Sequence, residues 1–125
     1  MTSAFEHAGR PAPSEIRYKS ALRILEVDFA DGMKSNFTAE FLRVMSPSAE
    51  VQGHGPGQRV VVPGKRMVAI SAIEPVGTYA VRLKFDDGHD TGLYSWDYFY
   101  SQMLERDALW ERYLRDLGER QQGRD

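Results

Sequence analysis

"LEVDFADGMKSNFTAEFL", residues 25–42, changes its periodicity partway along, and that change decides how the chain folds. Leu25, Val27 and Phe29 alternate with Glu26 and Asp28. A period of two places the three apolar side chains on one buried face of a strand. Asp31-Gly32 then supplies the positive φ of a tight hairpin, and Met33–Phe37 forms the returning strand. Thr38 stands where a helix N-cap belongs, and Glu40 falls in the first turn, where a carboxylate suits the helix dipole.

The pattern occurs twice. "VRLKFDDGHDTGLYSWDY", residues 81–98, repeats it 56 positions on, with Phe85 where Phe29 falls and Gly88 where Gly32 falls. Val81, Leu83 and Phe85 are the buried alternates, His89–Tyr94 is the returning strand, and Ser95 is the second N-cap, with Asp97 in the first turn. Isolated hairpins are marginal in water, so the two hairpin-plus-helix units are expected to share one small, mostly antiparallel sheet under their helices, an α+β fold. Glu15–Lys19 ("EIRYK") is a further strand, and "RMVAISAIEPVG" (residues 66–77) another, ended by Pro75 and Gly77. From Trp96 the pattern is helical, with Phe99, Tyr100 and Met103 on one side. Arg106 and Asp107 interrupt the stripe, which predicts a break there and a second helix carrying Trp110, Tyr113, Leu114 and Leu117. The expected organisation is a disordered segment over residues 1–14, a domain over 15–104, and a C-terminal helix over 105–125 whose polar end, Gly118 to Asp125, frays.

Composition narrows the function classes. The 125 residues are 42% hydrophobic and 27% charged, the balance of one globular domain. A net charge of −2, with Lys and Arg scattered rather than striped, points away from nucleic acid. No run of about 18 apolar residues or secretory h-region is present, so a cytoplasmic protein without membrane attachment is expected. There is no cysteine, which suits a reducing compartment and removes thiolate chemistry.

The stretch "SPSAEVQGHGPGQ", residues 46–58, follows no core-packing pattern. As a phosphate loop it fails, because its glycine spacing is wrong and Lys65 is followed by Arg66 rather than a hydroxyl. His54 and His89, with Asp87 or Asp90, would make a three-ligand zinc or iron site if the loop folded back over the second hairpin. Asp86, Asp87 and Asp90 cluster at a turn tip and are expected to be solvated with little pKa perturbation, and Ser46 and Ser48 lack a nucleophile elbow, so no catalytic residue is assigned. In the aromatic run Leu93–Tyr100, Trp96, Phe99 and Tyr100 share a helical face suited to a core, leaving Tyr94 and Tyr98 for an interface.

"EIRYKSALRILEVDFADG", "FTAEFLRVMSPSAEVQGHGPGQ" and "IEPVGTYAVRLKFDDGHDTGLYSWDYFY" together resemble the gamma-butyrobetaine hydroxylase-like N-terminal domain family, over about Pro13 to Met103. Such domains occur alone in bacteria, in front of the oxygenase domain of carnitine-synthesising hydroxylases, and fused to P-loop ATPases of iron–sulfur cluster assembly. In the hydroxylases the domain carries a structural zinc on a Cys-Pro-Cys-x-x-Cys segment and one histidine. The resemblance places those cysteines on Ser46, Ser48 and Val51, and the histidine on His89. Serine is a poor zinc ligand and valine none, so no metal and no other cofactor is expected at that set. The hydroxylation reaction belongs to an oxygenase domain and does not carry over.

The resemblance thus implies a non-enzymatic protein-interaction or adaptor domain, accessory to iron–sulfur cluster or metalloenzyme maturation, with an unidentified protein partner. Its expected interaction surface is Ser46, Ser48, His54, His89, Tyr94 and Trp96. The alternatives are a metal-binding protein using His54 and His89, or a small enzyme. Oligomeric state is not indicated by the sequence.

Overall fold

In both hairpins a three-residue connection closes on a glycine with positive φ, Gly32 at 90° and Gly88 at 93°. Gly32 N–H donates to Phe29 O at 3.0 Å and Gly88 N–H to Phe85 O at 3.1 Å. The preceding aspartate completes each turn, with Asp31 Oδ1 accepting Met33 N–H at 2.9 Å and Asp87 Oδ1 accepting His89 N–H at 3.0 Å. These turns organise a computed structural model that describes residues 10–53 and 59–125.

The element order is β1 (Pro13–Lys19), β2 (Ile24–Phe29), β3 (Lys34–Thr38), α1 (Ala39–Val44), α2 (Ala49–Gln52), β4 (Ile70–Val76), β5 (Ala80–Phe85), β6 (Gly92–Ser95) and α3 (Trp96–Glu119). Both expected N-caps form: Thr38 Oγ1 accepts Phe41 N–H at 3.0 Å, and Ser95 Oγ accepts Tyr98 N–H at 3.1 Å. The strands form two antiparallel sheets, β1-β2-β3 and β4-β5-β6, rather than the one shared sheet expected from the hairpins. Each hairpin recruits the strand just before it, so the repeating unit is three strands and a helix. Pairing with the chain neighbour closes the shortest loop, which costs the least entropy.

The buried alternates are those the pattern identifies: Leu25, Val27 and Phe29 in the first unit, Val81, Leu83 and Phe85 in the second. Phe99 joins the two, with its ring 5.8 Å from that of Phe37 and 5.6 Å from that of Tyr94. Tyr18 Oη also crosses between the sheets, accepting Ile70 N–H at 3.0 Å.

Three boundaries differ from expectation. Residues 10–14 are held in place: Arg10 lies over the Tyr100 ring at 5.1 Å, Ala12 O accepts Ala30 N–H at 2.9 Å, and β1 begins at Pro13. Prolines fit there because β1 is an edge strand. The expected break at Arg106-Asp107 is absent, and α3 runs on as one helix of 24 residues. Arg106 stays in the stripe because its guanidinium reaches β3, donating to Asn36 O at 2.8 Å and Ser35 Oγ at 3.3 Å. The C-terminal end is docked rather than frayed: Gly64 N–H donates to Gly123 O and Arg66 N–H to Arg124 O, both at 2.9 Å.

That docking follows from Glu40, which is buried in the first turn of α1. A buried carboxylate needs a partner, and the Arg124 guanidinium supplies a two-pronged one at 2.7 and 2.8 Å while lying over Trp110. Arg124→Ala is expected to cost about 2–3 kcal/mol in urea denaturation, less than a fully buried pair would because Arg124 is partly exposed. Glu40→Gln, which removes the charge needing compensation, should cost less than Arg124→Ala.

Candidate functional site

The three carbonyls at the end of α1 and in the corner after it have no helical partner of their own, and side chains from elsewhere satisfy them. Tyr94 Oη donates to Leu42 O at 2.5 Å, Tyr98 Oη donates to Met45 O, and Gln52 Nε2 donates to Ser46 O at 2.8 Å. The corner is thereby tied to β6, to α3 and to α2. Ser48 caps α2, its Oγ accepting Glu50 N–H at 3.2 Å.

Onto this corner the second hairpin delivers His89. Its Nε2 lies 2.9 Å from Ser46 Oγ, and both side chains are buried. Ser48 N–H donates to the same Ser46 oxygen at 3.2 Å. We assign the Ser46 hydroxyl proton to His89 Nε2, which leaves the neutral imidazole protonated on Nδ1, the nitrogen 3.8 Å from Glu50 Oε1. Thr91 extends the network, 2.8 Å from Ser48 Oγ and donating to Glu50 Oε1 at 2.6 Å.

Burial lowers the His89 pKa below the ordinary histidine value, and Arg43 adds to this, against the opposing pull of Glu50, Asp87 and Asp90. Asp87 departs from the solvated carboxylate expected of a turn tip, with its side chain only 16% exposed. Burial alone would raise its pKa, but Lys65 Nζ at 2.8 Å, the His89 N–H and Arg43 Nε at 2.7 Å together hold it well below the carboxylate range. The turn aspartate thus anchors α1 and the segment before β4 to the second hairpin.

The structure brings together Ser46, Ser48 and His89, with Val51 buried nearby on α2. Tyr94 belongs with them as a fully buried side chain, not the interface residue expected. Helical counting misplaced it: Tyr94 lies on β6, two positions from Gly92 and on the same inward face. Trp96 stands apart and half-exposed, its indole N–H donating to Thr78 O at 2.7 Å. His54 lies outside the described residues. The expected six-residue surface is therefore largely an internal polar cluster. Glu50, Gln52 and Thr91, which no sequence signal marks, complete it together with Asp87, which the sequence singles out by its Asp-Gly turn and as a candidate metal ligand.

A hydroxyl beside an imidazole is half of a nucleophile–base pair, but this one is enclosed. A Cβ placed on Gly92 would sit 2.7 Å from Ser46 Oγ and 2.8 Å from the Tyr94 ring. The zinc set of the hydroxylases is not met either. Two neutral hydroxyls, a valine and an imidazole already engaged by Ser46 do not fit the ion. No group of three or more His, Asp or Glu residues gathers as a metal site among the described residues.

A small α+β domain built from two strand-hairpin-helix units, with a histidine pinning a serine-rich corner, is the class these features define. The sequence profile described as gamma-butyrobetaine hydroxylase-like, N-terminal, matches residues 16–100, and the chain belongs to that family. Two solution NMR structures resemble it closely. One is 44% identical with a TM-score of 0.80, covering 94% of this chain and 92% of its own. The other is 45% identical with a TM-score of 0.81, covering 99% and 90%. A crystal structure of a protein of unknown function from Acidithiobacillus ferrooxidans, belonging to the DUF971 family, is 39% identical with a TM-score of 0.60, covering 78% and 93%. No match was found among curated proteins. No helix among the described residues is long and apolar enough to cross a membrane.

Two measurements check the cluster. Gly92→Ala should destabilise the fold by about 1–3 kcal/mol, the cost of overpacking a filled interior. For His89 the lowered native pKa means that the unfolded chain binds the extra proton first. Its contribution is then complete above about pH 6.5 and is lost as pH falls toward the native value. Urea midpoints between pH 7.5 and 5 should fall more steeply for the wild type than for His89→Gln.

Proposed function

We propose that this domain is a non-enzymatic adaptor that binds another protein in the cytoplasm, accessory to iron–sulfur cluster or metalloenzyme maturation. The observation that carries the reading is where the family motif spends its polar groups. Among the described residues of the motif, Ser46, Ser48, His89 and Thr91 bond to one another and to neighbouring groups, so these side chains serve as a scaffold. Beside this scaffold, apolar side chains are left in water. Tyr79 is 45% and Leu93 40% exposed, and Tyr79 O accepts the backbone N–H of half-exposed Trp96 at 3.0 Å. β6 is an edge strand of its sheet, and aromatic and aliphatic groups beside it suit a partner of the same character. The setting in metal-cofactor maturation is supported by the company that related domains keep.

A photo-crosslinking residue at position 93 should join a specific cytoplasmic protein, and Tyr79→Ser should weaken that yield. The same residue at position 114, on an exposed site of α3, should not. Failure to capture any partner at 93, or equal capture at both positions, would overturn the reading. The competing metal-carrier reading predicts stoichiometric zinc or ferrous iron after dialysis, lost in His89→Ala. The adaptor reading predicts none.

A further inference from the structure

On the far side of the α1 corner, a cavity of about 460 Å³ opens between that corner, the segment after residue 58 and the C-terminal half of α3. Its size lies within the range of about 300–1,000 Å³ typical of small-ligand sites. The apolar part of its wall comes from Met45, Val61, Leu109 and Tyr113. Three arginines also line it: Arg59 on one wall, Arg112 on α3 and Arg120 at the C-cap just past its end. None of the three forms an ion pair among the described residues.

Arg59 is the informative one. It is half-buried, and its Nη1 rests against the Met45 sulfur, a weak acceptor that gives a guanidinium little compensation. Residues 54–58 just before it, His-Gly-Pro-Gly-Gln, carry no carboxylate in their sequence. A guanidinium drawn partly out of water on an apolar wall is matched by a planar anion that it can grip through two N–H groups. Asp116 and Glu119 also line the cavity, so three cations face two carboxylates and one negative charge restores balance.

We propose that this cavity binds a small organic monocarboxylate with an apolar body, the carboxylate on Arg59 and the body against Met45, Leu109 and Tyr113. A phosphate monoester is the less suitable anion, since its second charge would exceed the local excess and repel Asp116 and Glu119. The site touches the histidine–serine cluster only through Gln52, and no residue of β6 lines it.

The test is a titration of the full chain, ¹⁵N-labelled, with octanoate, and in parallel with octanol and octyl phosphate. Saturable octanoate shifts should centre on Met45, Val61, Leu109 and Tyr113. Octanol and octyl phosphate should bind more weakly. Arg59→Gln should reduce octanoate affinity by about tenfold or more, the scale of a lost hydrogen bond to a charged group. If Arg59→Gln does not fold, Arg112→Gln takes its place, with a smaller loss expected. Arg115→Gln, outside the cavity, should leave binding unchanged. No saturable octanoate binding, equal binding of octanol, or unchanged affinity in the folded arginine variants would each overturn the proposal. Tighter binding of octyl phosphate would overturn the assignment of a carboxylate.

Discussion

The hydrogen bond between Ser46 Oγ and His89 Nε2 is made between two buried side chains, so neither partner can exchange it for water. Breaking it strands a polar atom in a medium that cannot solvate it, a larger penalty than the bond's own net worth. Everything around the pair follows from that constraint. The serine must be presented by a corner whose carbonyls are already satisfied, which Tyr94, Tyr98 and Gln52 arrange. The histidine must be aimed by a turn whose own geometry is locked, which Asp87 arranges while holding Arg43 and Lys65. Gly92 must lack a side chain so that the strand can come close enough. This chain joins the corner after α1 to the second hairpin by hydrogen bonds between side chains.

The second organising element is α3. It begins as the helix of the second unit yet covers the first. Tyr100 packs edge-on to Phe29 at 4.9 Å and donates to Asp31 at 2.7 Å, and Trp110 reaches Phe41. Its C-terminal half forms one wall of the arginine-lined cavity. The two units therefore share their apolar faces, and the helix that joins them also walls the cavity beside the α1 corner.

Both hairpins, their turn residues and both N-caps were readable in the sequence, because each depends on neighbours a few positions away. Strand alternation, Asp-Gly and a hydroxyl before a helix are local signals. What was not readable depends on distant partners. Whether β1 and β4 join one sheet or two is a choice between competing pairings that no local pattern encodes. Arg106 reads as a helix break until β3 is seen to offer it a carbonyl. Ser46 and His89 read as surface residues because polar side chains usually are, and only their mutual satisfaction lets them be interior. Arg59 carried no sequence signal, since a lone arginine near a glycine-rich stretch is unremarkable until its neighbours are known.

The reach of α3 across both units has a consequence for the order of assembly. The first unit's phenylalanines Phe29, Phe37 and Phe41 are complete in sequence long before the helix that covers them, and the contacts closing over them span separations of 69 and 70 residues. Such pairings form late, because loop-closure entropy must be overcome before they contribute. During synthesis the first sheet therefore waits with a bare aromatic face, a period in which self-association competes with maturation.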